Sequence, residues 1–383
     1  MRQEWQNAKR IVIKVGSALL VDETTGQLRQ EWIYSLIEDI ARLKHEGKEV
    51  ILVASGSKAL GRHELDLEPG TLTLDQAQAA AAIGQISLAH TFKALFQNHQ
   101  IKVAQVLLTI GDTEDRRRYL NARDTINTLV ELGAIPVVNE NDTVATNEIR
   151  YGDNDRLSAR VASMAEADVL LILSDIDGLY TAPPHKDKKA KHITEVPQIT
   201  PEIEAMAGGT GSSFSSGGMV TKIMAAKIAI AAACHMVIAS GKGANPITAL
   251  LNDAKSTWFL SSADPLTARK SWIAGSLDVK GELTIDQGAE KALFAGNSLL
   301  PAGVTSSTGE YNRGDVIVIK NQAGEILAHG LSSYDQSDTV QIIGKQSSEI
   351  KSILGHSGRT ELVHRDNMAL TTHSHEQSKS DET

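Results

Sequence analysis

The sequence has almost no cysteine and few aromatic residues. Cys234 is the one cysteine among 383 residues, which excludes an intrachain disulfide and a metal cluster held by thiolates. Aromatic residues make up 4% of the chain, so alanine, isoleucine, leucine and valine must form the core. No run of about 18 apolar residues is present, and the N-terminal segment lacks the apolar stretch of a secretory signal. These absences favour a cytoplasmic protein without a membrane span.

What is present is an ordinary globular composition, with 41% hydrophobic and 22% charged residues. The length predicts two or three domains, since single domains usually have about 100 to 200 residues. The formal net charge of −9 disfavours a general nucleic-acid binder, because such proteins present basic surfaces to the phosphate backbone. A small-molecule substrate or a specific partner therefore fits the composition better.

Short apolar runs rich in β-branched residues alternate with longer helical stretches over the first 260 residues. Runs that are apolar throughout and are separated by helices predict an α/β fold, with a mostly parallel sheet sandwiched by helices. Because ligands bind beyond the carboxyl ends of the strands in such sheets, chemistry is expected in the loops after these runs. The predicted strands cover 11–15, 49–54, 101–108, 134–139, 169–174 and 236–240, and the clearest helices lie near 75–98, 114–132 and 219–233.

The organisation of the chain changes about two thirds of the way along it. We predict an α/β domain over 1–262, a polar linker over 263–275 and a small β-rich, barrel-like domain over 276–360. Within that second domain, segment 321–324 lies between two apolar runs and predicts a hairpin turn. Segment 372–383 is polar and predicts a disordered tail.

The two commonest nucleotide-binding fingerprints are absent: there is no G-x-x-x-x-G-K-[ST] motif, and no G-x-G-x-x-G motif opens a helix after the first predicted strand. The first two predicted strands nevertheless end in turns that suit an anion. Lys14 lies inside the first apolar run and is followed by Gly16, so its ammonium either reaches a phosphate or extends into solvent. The turn of Ser55, Gly56 and Ser57 either binds an anion at a helix N-terminus or caps that helix with a serine.

Two later loops add candidates for phosphate binding. Ser174 and Asp175 leave the fifth predicted strand before a turn at 177–178. This loop either contacts a nucleotide or merely reverses the chain, and its residues alone favour reversal. A Gly/Ser-rich loop over 209–218 leads into a helix that starts with a basic residue, Lys222. That basic start favours a phosphate site over a flexible linker.

The segment 139–159 carries more short polar side chains than the start of a helix needs. One of Asp153, Asn154 and Asp155 must cap the following helix, and Asp142 follows the fourth predicted strand. Carboxylates beside an anion site make sense where the substrate also carries an ammonium group, where lysines must be held in place or where Mg²⁺ accompanies a nucleotide. The spacing of a calcium-binding EF-hand loop is missing.

In this order along the chain, the loops resemble those of the glutamate 5-kinase branch of the amino-acid kinase family. The stretches that carry the resemblance fall within 10–275 and read IKVGS, VASGS, GQ at 84–85, LNARDT, PVVNENDTVAT, GDNDRLSA, DGLYTA and GGMVTK. The region after them resembles a PUA domain, a small pseudo-barrel, through GELTIDQGAEKAL, SLLPAGV, GEYNRGDVI and AHGLSSY. The resemblance implies an amino-acid kinase fold followed by a PUA-like barrel.

The resemblance also implies a kinase that transfers the γ-phosphoryl group of ATP to the γ-carboxylate of L-glutamate, with Mg²⁺ as a cofactor. The product would be γ-glutamyl phosphate, the first intermediate toward proline. By position, the resemblance assigns glutamate binding to Ser55, Asp142 and Asn154, and it assigns no side chain as a metal ligand. It assigns ATP binding to Lys14, Ser174, Asp175, Ser216, Gly217, Gly218, Met219, Val220, Thr221 and Lys222.

Phosphoryl transfer between two anions needs charge stabilisation more than covalent help from the protein. For the activity that the resemblance implies, we expect Lys14 and Lys222 to bracket the transferred phosphoryl group. We expect Asp155 to complete the catalytic group by holding the two lysines, which would otherwise repel each other. We expect Asp142 to accept from the α-ammonium group of glutamate, and Asn154 to orient a carboxylate.

Other functions remain open from the sequence. N-acetylglutamate kinase is the nearest alternative, and Asp142 separates the two because an acetylated substrate has no ammonium group. An RNA-binding protein is the alternative from a different class, but ten acidic against six basic residues over 278–353 make that region a poor phosphate-backbone binder. The resemblance also implies inhibition by proline and a homo-oligomer. The basic run 116–118 predicts a solvated helix face, with a subunit contact or a regulatory site as the alternative.

Overall fold

We describe the protein from a computed structural model. The structure describes residues 2–22, 24–68, 70–144, 154–184, 187–207, 218–262, 279–356 and 358–371. The chain divides into two compact units, Met1–Pro265 and Leu266–Thr383. The predicted linker 263–275 and the predicted tail 372–383 lie outside the described residues. Within the described ranges, no helix is both long and apolar enough to cross a membrane.

One eight-stranded sheet forms the centre of the first unit. The strands of that unit are β1 (Arg10–Val15), β2 (Glu49–Ala54), β3 (Val103–Leu108), β4 (Ile135–Glu140), β5 (Val169–Ser174), β6 (Leu179–Tyr180), β7 (His192–Ile193), β8 (Glu195–Val196), β9 (His235–Ser240) and β10 (Ser256–Phe259). The order in the large sheet is β3-β4-β2-β1-β5-β9-β10-β8, and β6 pairs with β7 separately. Neighbouring strands in the large sheet are parallel except β9 and β10. The prediction of a mostly parallel sheet is confirmed.

Helices pack on both faces of this sheet. The helices of the first unit are α1 (Gln3–Asn7), α2 (Ser17–Leu20), α3 (Gln30–His45), α4 (Ser57–Glu64), α5 (Leu74–Gln97), α6 (Ile110–Glu114), α7 (Arg116–Glu131), α8 (Asn154–Met164), α9 (Pro201–Met206), α10 (Met219–Ala231) and α11 (Pro246–Leu251). Apolar residues of α3, α5 and α11 pack on one face, and those of α7, α8 and α10 pack on the other. The central strands are therefore buried on both sides, which is why their sequences are apolar throughout.

Alternation along β1 decides which helical layer each of its side chains meets. Ile11, Ile13 and Val15 belong to the core under α3 and α5, whereas Val12 belongs to the core under α8 and α10. Lys14 is two residues after Val12, so its side chain points to the same face of the sheet. Its ammonium group therefore lies on the side of α8 and α10, at the carboxyl end of the strand. The strand pattern thus aims one buried lysine at the N-termini of two helices.

Three local features differ from the sequence prediction. The helix predicted near 114–132 corresponds to α7, and the short helix α6 before it was not predicted. Asp115 separates the two helices, because it is extended and its carboxylate accepts from the amide of Arg118 in the first turn of α7. The strand predicted from residue 101 begins at Val103. The antiparallel strand β10 was not predicted.

Two glycines let α4 and α5 touch through their backbones. A Cβ atom on Gly61 would lie 1.7 Å from the carbonyl oxygen of Ala80, and one on Gly84 would lie 2.0 Å from the carbonyl oxygen of Ser57. No side chain larger than hydrogen fits at either place. This crossing fixes the position of Gln85, the residue that follows Gly84, next to the turn that starts α4.

The second unit contains a five-stranded sheet with its own core. Its strands are β11 (Val279–Ile285), β12 (Val304–Gly309), β13 (Val316–Lys320), β14 (Ile326–Leu331) and β15 (Met368–Leu370), in the order β12-β11-β13-β14-β15. Its helices are α12 (Gln287–Phe294), α13 (Gln336–Ile342) and α14 (Ile350–Leu354). A turn with Gly324 at φ +86° joins β13 to β14 as an antiparallel hairpin. The predictions of a β-rich second region and of this turn are confirmed.

Candidate active site

Two lysines share one carboxylate at the carboxyl end of the large sheet. Lys14 is 7% exposed near the end of β1, Asp155 is 0% exposed in the first turn of α8, and Lys222 is 3% exposed in the first turns of α10. The Lys14 Nζ lies 2.7 Å from Asp155 Oδ1, and the Lys222 Nζ lies 3.1 Å from Asp155 Oδ2. The structure therefore brings together the three residues that sequence reasoning grouped as catalytic. A Lys14 ammonium extended into solvent is excluded.

The positive charges of Lys14 and Lys222 favour the ionised form of the Asp155 carboxyl. Burial alone would raise the pKa of the Asp155 carboxyl, but the ammonium groups of Lys14 and Lys222 hold that pKa below its usual range. The hydroxyl of Thr221 also donates to Asp155 Oδ2 at 2.9 Å. Two ammonium groups and one carboxylate leave the cluster with a net positive charge, which suits a bound anion.

Asn154 orients the adjacent polar network through its side-chain nitrogen. Its Nδ2 donates to the carbonyl oxygen of Ala54 at 3.2 Å, to the hydroxyl of Ser55 at 2.6 Å and to Asn139 Oδ1 at 3.3 Å. Its Oδ1 is buried and has no hydrogen-bond partner among the described residues. A ligand would therefore meet an acceptor at Asn154, which suits an ammonium group better than the carboxylate expected from the sequence.

Two further polar residues belong to this network, and sequence reasoning gave them no role. Asn139 is the second-last residue of the buried strand β4, and its Nδ2 donates to Gln85 Oε1 at 2.6 Å. Both side chains are buried, so each holds the other in one orientation. The available signals were a polar residue at the end of an apolar strand and the glycine that precedes Gln85. Neither signal shows from sequence that the two side chains meet.

Asp142 lies beyond β4 and has a different set of partners. Its Oδ1 is 3.0 Å from Lys58 Nζ, and its Oδ2 accepts from the Ser57 hydroxyl at 3.4 Å. Ser57 therefore faces Asp142 and does not cap α4. The N-cap of α4 is Gly56 at φ +101°, without a side-chain cap. The serine-capping alternative for this turn is wrong, and Lys58 is a site residue that sequence reasoning missed.

Part of the loop after β5 reverses the direction of the chain. The hydroxyl of Ser174 donates to Asp175 Oδ1 at 3.1 Å, next to the cluster of lysines along the sheet edge. Gly178 at φ +144° makes the turn, and Tyr180 donates to Asp177 Oδ2 at 3.1 Å. Asp177 and Gly178 are thus occupied by the turn, which leaves Ser174 and Asp175 as the candidates for contact with a nucleotide.

The start of α10 completes the described part of the site. Gly218 is its N-cap without a side-chain cap, and the Gly218 carbonyl oxygen, 2.7 Å from the hydroxyl oxygen of Thr221, shares that hydroxyl's one hydrogen with Asp155. Met219 and Val220, in the same first turn, are half-buried. Ser216, Gly217 and Asp153 lie outside the described residues.

A groove of about 760 Å³ begins beside Asp175 and extends along the loop after β9. Its lining includes Arg29, Trp32 and Lys242. The indole of Trp32 donates to the carbonyl oxygens of Gly241 at 2.6 Å and Gly243 at 3.0 Å, which holds that loop. The lining combines cationic side chains and an aromatic ring with the carboxylates of Glu31 and Asp175, which makes this groove a candidate for the nucleoside part of a nucleotide.

The described residues offer no ready-made metal cage. No group of three or more His, Cys, Asp or Glu side chains converges within the part of the chain that the structure describes.

Among the three basic residues of the run 116–118, Arg116 is half-buried, while Arg117 and Arg118 are exposed and Arg118 pairs with Asp112 at 3.2 Å. The prediction of a solvated helix face thus holds for two of the three residues.

Comparisons with known proteins identify the family of this chain. The model of the amino acid kinase family matches residues 9–240, and the model of the PUA domain matches residues 281–354. Glutamate 5-kinase 1 of Rhizobium meliloti is 57% identical over 370 residues, which cover 97% of this chain and 94% of that protein. Glutamate 5-kinase of Sinorhizobium fredii is 58% identical over 363 residues, which cover 95% of this chain and 92% of that protein.

Among solved structures, carbamate kinase from Giardia lamblia bound to AMP-PNP has a TM-score of 0.48 and 16% identity, and the match covers 67% of this chain and 99% of that one. The family model spans more than half of the chain, and the relatives above are similar over nearly all of it. This chain therefore belongs to the amino acid kinase family, in its glutamate 5-kinase branch, with a PUA domain after the kinase domain.

Proposed function

We propose that this protein transfers the γ-phosphoryl group of ATP to the γ-carboxylate of L-glutamate, forming γ-glutamyl phosphate, the first step toward proline. The relatives named glutamate 5-kinase support this reaction. The observation that carries the proposal is the shared carboxylate: Lys14 and Lys222 both bind Asp155, so two positive charges converge where the strands end.

The reaction brings two anions together, and the lysines offset their repulsion. Two unit charges 4 Å apart repel by about 4 kcal/mol at an effective dielectric constant of about 20. Because Asp155 already holds both ammonium groups, Lys14 and Lys222 need no rearrangement when charge moves onto the phosphoryl oxygens. Their role is to bracket the transferred group, and the role of Asp155 is to position them.

The chemical step needs no general base. One oxygen of the γ-carboxylate attacks the γ-phosphorus of ATP and forms a new P–O bond. The bond between that phosphorus and the β,γ-bridging oxygen breaks, and ADP leaves with its electron pair. The side-chain carboxyl of glutamate has an ordinary pKa of about 4.3, so it is already ionised at neutral pH. In-line positioning and charge stabilisation are therefore what the protein must supply.

The polar network supports a defined orientation of glutamate. Asp142 and the unpartnered Oδ1 of Asn154 are acceptors for the α-ammonium group. The Ser55 hydroxyl accepts from Asn154, so its own hydrogen is available to donate to a substrate carboxylate. Contacts between Asp142 and Ser57 at 3.4 Å, Ser57 and Asn139 at 3.5 Å, and Asn139 and Asn154 at 3.3 Å connect the two acceptors.

ATP would lie along the ends of β5 and β9. Its transferred phosphoryl group would meet Lys14 and Lys222, its neighbouring phosphates would meet the start of α10 at Gly218, and its nucleoside would enter the groove beside Asp175. The Mg²⁺ ion that accompanies ATP in kinases neutralises part of the phosphate charge. Because Asp155 is engaged by lysines, we propose that phosphate oxygens and water supply most of the ligands of that ion.

Two assays test the proposal against its nearest alternative. ADP release should follow addition of L-glutamate and not of N-acetyl-L-glutamate, because an acetylated nitrogen offers no ammonium group to Asp142. Hydroxylamine should trap the acyl phosphate as a γ-hydroxamate. Release of ADP with the acetylated substrate alone would contradict the proposal and favour an N-acetylglutamate kinase.

We further propose, on the basis of the family, that L-proline inhibits the enzyme and that it assembles as a homo-oligomer. Sedimentation of the full chain with and without L-proline measures the assembly, and the glutamate assay repeated with L-proline measures inhibition. A monomer whose activity L-proline leaves unchanged would contradict both proposals.

A further inference from the structure

The ion pair between Asp142 and Lys58 is asymmetric in its exposure. The side chain of Asp142 is 9% exposed, whereas that of Lys58 is 43% exposed, and the two charged atoms lie 3.0 Å apart. Lys58 is the second residue of α4, two residues after the Gly56 N-cap, and its partly exposed side chain reaches a buried carboxylate. The reaction described above gives Lys58 no role.

We propose that Lys58 determines specificity by binding the α-carboxylate of the substrate, while Asp142 binds its α-ammonium group. This inference rests on the proposed function and deepens it. In the absence of substrate, the two side chains neutralise each other. When an α-amino acid binds, each side chain exchanges its partner for the opposite charge of the substrate.

The spacing of the pair matches the spacing of the charges in an α-amino acid. One carbon atom separates the ammonium nitrogen from the carboxylate, so its nitrogen and nearer oxygen are about 3 Å apart. Lys58 Nζ and Asp142 Oδ1 are 3.0 Å apart. The ammonium and carboxylate groups of one substrate molecule can therefore meet Asp142 and Lys58 at the same time, and each side chain then exchanges its partner for an opposite charge.

The surroundings of Lys58 also favour a carboxylate. Gly56 caps α4 without a side-chain acceptor, so the first-turn amides of this helix carry a partial positive charge that no capping side chain neutralises. The Ser57 hydroxyl is directed at Asp142 and so supports the carboxylate that must change partner. Because Lys58 is half-exposed, its flexible stem can move to a substrate oxygen at little cost in packing.

The exchange predicts which change in the substrate is tolerated. A substrate without its α-ammonium group would leave Asp142 with no second partner when Lys58 turns to the carboxylate, and an unpaired buried carboxylate is costly. A substrate whose α-carboxylate is an amide would lose only the charge that meets Lys58. The α-carboxamide of L-glutamate is therefore the probe that isolates Lys58.

The test compares kcat/KM for L-glutamate and for its α-carboxamide in the unmodified enzyme and in Lys58→Met. Removing Lys58 also frees Asp142 for the ammonium group, but this effect is the same for both substrates. The ratio of the two kcat/KM values therefore reports the α-carboxylate alone. We expect that ratio to fall about tenfold in Lys58→Met, as for loss of one charge-assisted hydrogen bond at a half-exposed position, and to be largely restored in Lys58→Arg.

Lys227→Met is the matched control, because Lys227 is 47% exposed and pairs with the Glu204 carboxylate at 2.7 Å outside the site. Its ratio should equal that of the unmodified enzyme. An unchanged ratio in Lys58→Met, or an equal fall in Lys227→Met, would overturn the assignment of Lys58 while leaving the kinase intact. Absence of ADP release with both substrates in the unmodified enzyme would instead overturn the proposed function, and this inference with it.

Discussion

The two carboxylates of the site, Asp155 and Asp142, are held in opposite ways. Asp155 is fully buried and is shared by two lysines that are themselves buried. Asp142 is nearly buried but pairs with a lysine that reaches in from solvent. In the proposed reaction, the first arrangement, which we call the fixed centre, holds charges that must not move during phosphoryl transfer. In the proposed exchange, the second arrangement, which we call the exchangeable centre, keeps the Asp142 charge paired until the substrate replaces its partner. Both aspartates are buried, and the two arrangements differ in whether the lysines that pair with them are buried as well.

The largest effect is expected when the fixed centre loses its carboxylate. Asp155→Asn would leave the buried ammonium groups of Lys14 and Lys222 without the charge that offsets them. We expect the free energy of unfolding to fall by about 3–5 kcal/mol, as for one partner removed from a buried ion pair. Urea unfolding followed by circular dichroism measures this. A loss below about 1 kcal/mol would show that the pair is not buried in solution.

The next effect concerns catalysis rather than stability. Lys222→Ala removes one of the two charges that face the transferred phosphoryl group. We expect kcat to fall by about 10²–10³, as for removal of one donor that stabilises a transition state, with little change in the KM for glutamate. Steady-state kinetics of ADP release measures both constants. A rise in KM with kcat intact would place Lys222 in ground-state binding instead.

Substitution at the exchangeable centre should change the KM for glutamate rather than kcat. Asp142→Asn keeps the shape of the side chain and removes the charge that meets the α-ammonium group. We expect the KM for glutamate to rise about tenfold or more, as for loss of a hydrogen bond to a charged group, while kcat stays within a few-fold. Glu204→Gln, which removes an exposed carboxylate outside the site, is the control and should leave both constants unchanged.

The smallest effect is a dependence of stability on pH at the fixed centre. The folded-state pKa of Asp155 is lowered, because its two lysines outweigh the effect of burial. Its contribution is therefore complete above the ordinary aspartate pKa of about 3.9 and is lost as the pH falls below that value. The difference in unfolding free energy between the unmodified protein and Asp155→Asn should shrink below about pH 4. A difference that stays constant down to about pH 2 would contradict this assignment.

The fold was largely predictable because its strands are buried on both faces. Such strands are apolar throughout, so β2 and β5 were predicted to the residue. The short strand β10 was not, because four residues at the edge of a pattern carry little signal. The short helix α6 was not predicted because five residues carry little periodic signal, and the capping role of Asp115 depends on its backbone conformation.

The site was predictable only in part, for a related reason. Lys14 could be singled out because a lysine in an apolar strand needs a partner, whereas the resemblance was needed to choose Asp155 as that partner. Gln85, Asn139 and Lys58 could not, because each acts through a contact between elements far apart in the chain. The direction of α4 depends on the left-handed Gly56, and sequence alone does not show that its second residue turns back to Asp142.

The contact between α4 and α5 limits how the substrate can change. Main-chain atoms meet at Gly61 and Gly84, so substitution there cannot adjust the distance between the two helices. In the proposed amino-acid pocket, the wall that includes the turn before α4 and the side chain of Gln85 therefore has a constant position. An enzyme redesigned for a longer dicarboxylic amino acid would have to gain its extra length elsewhere, for example at α8.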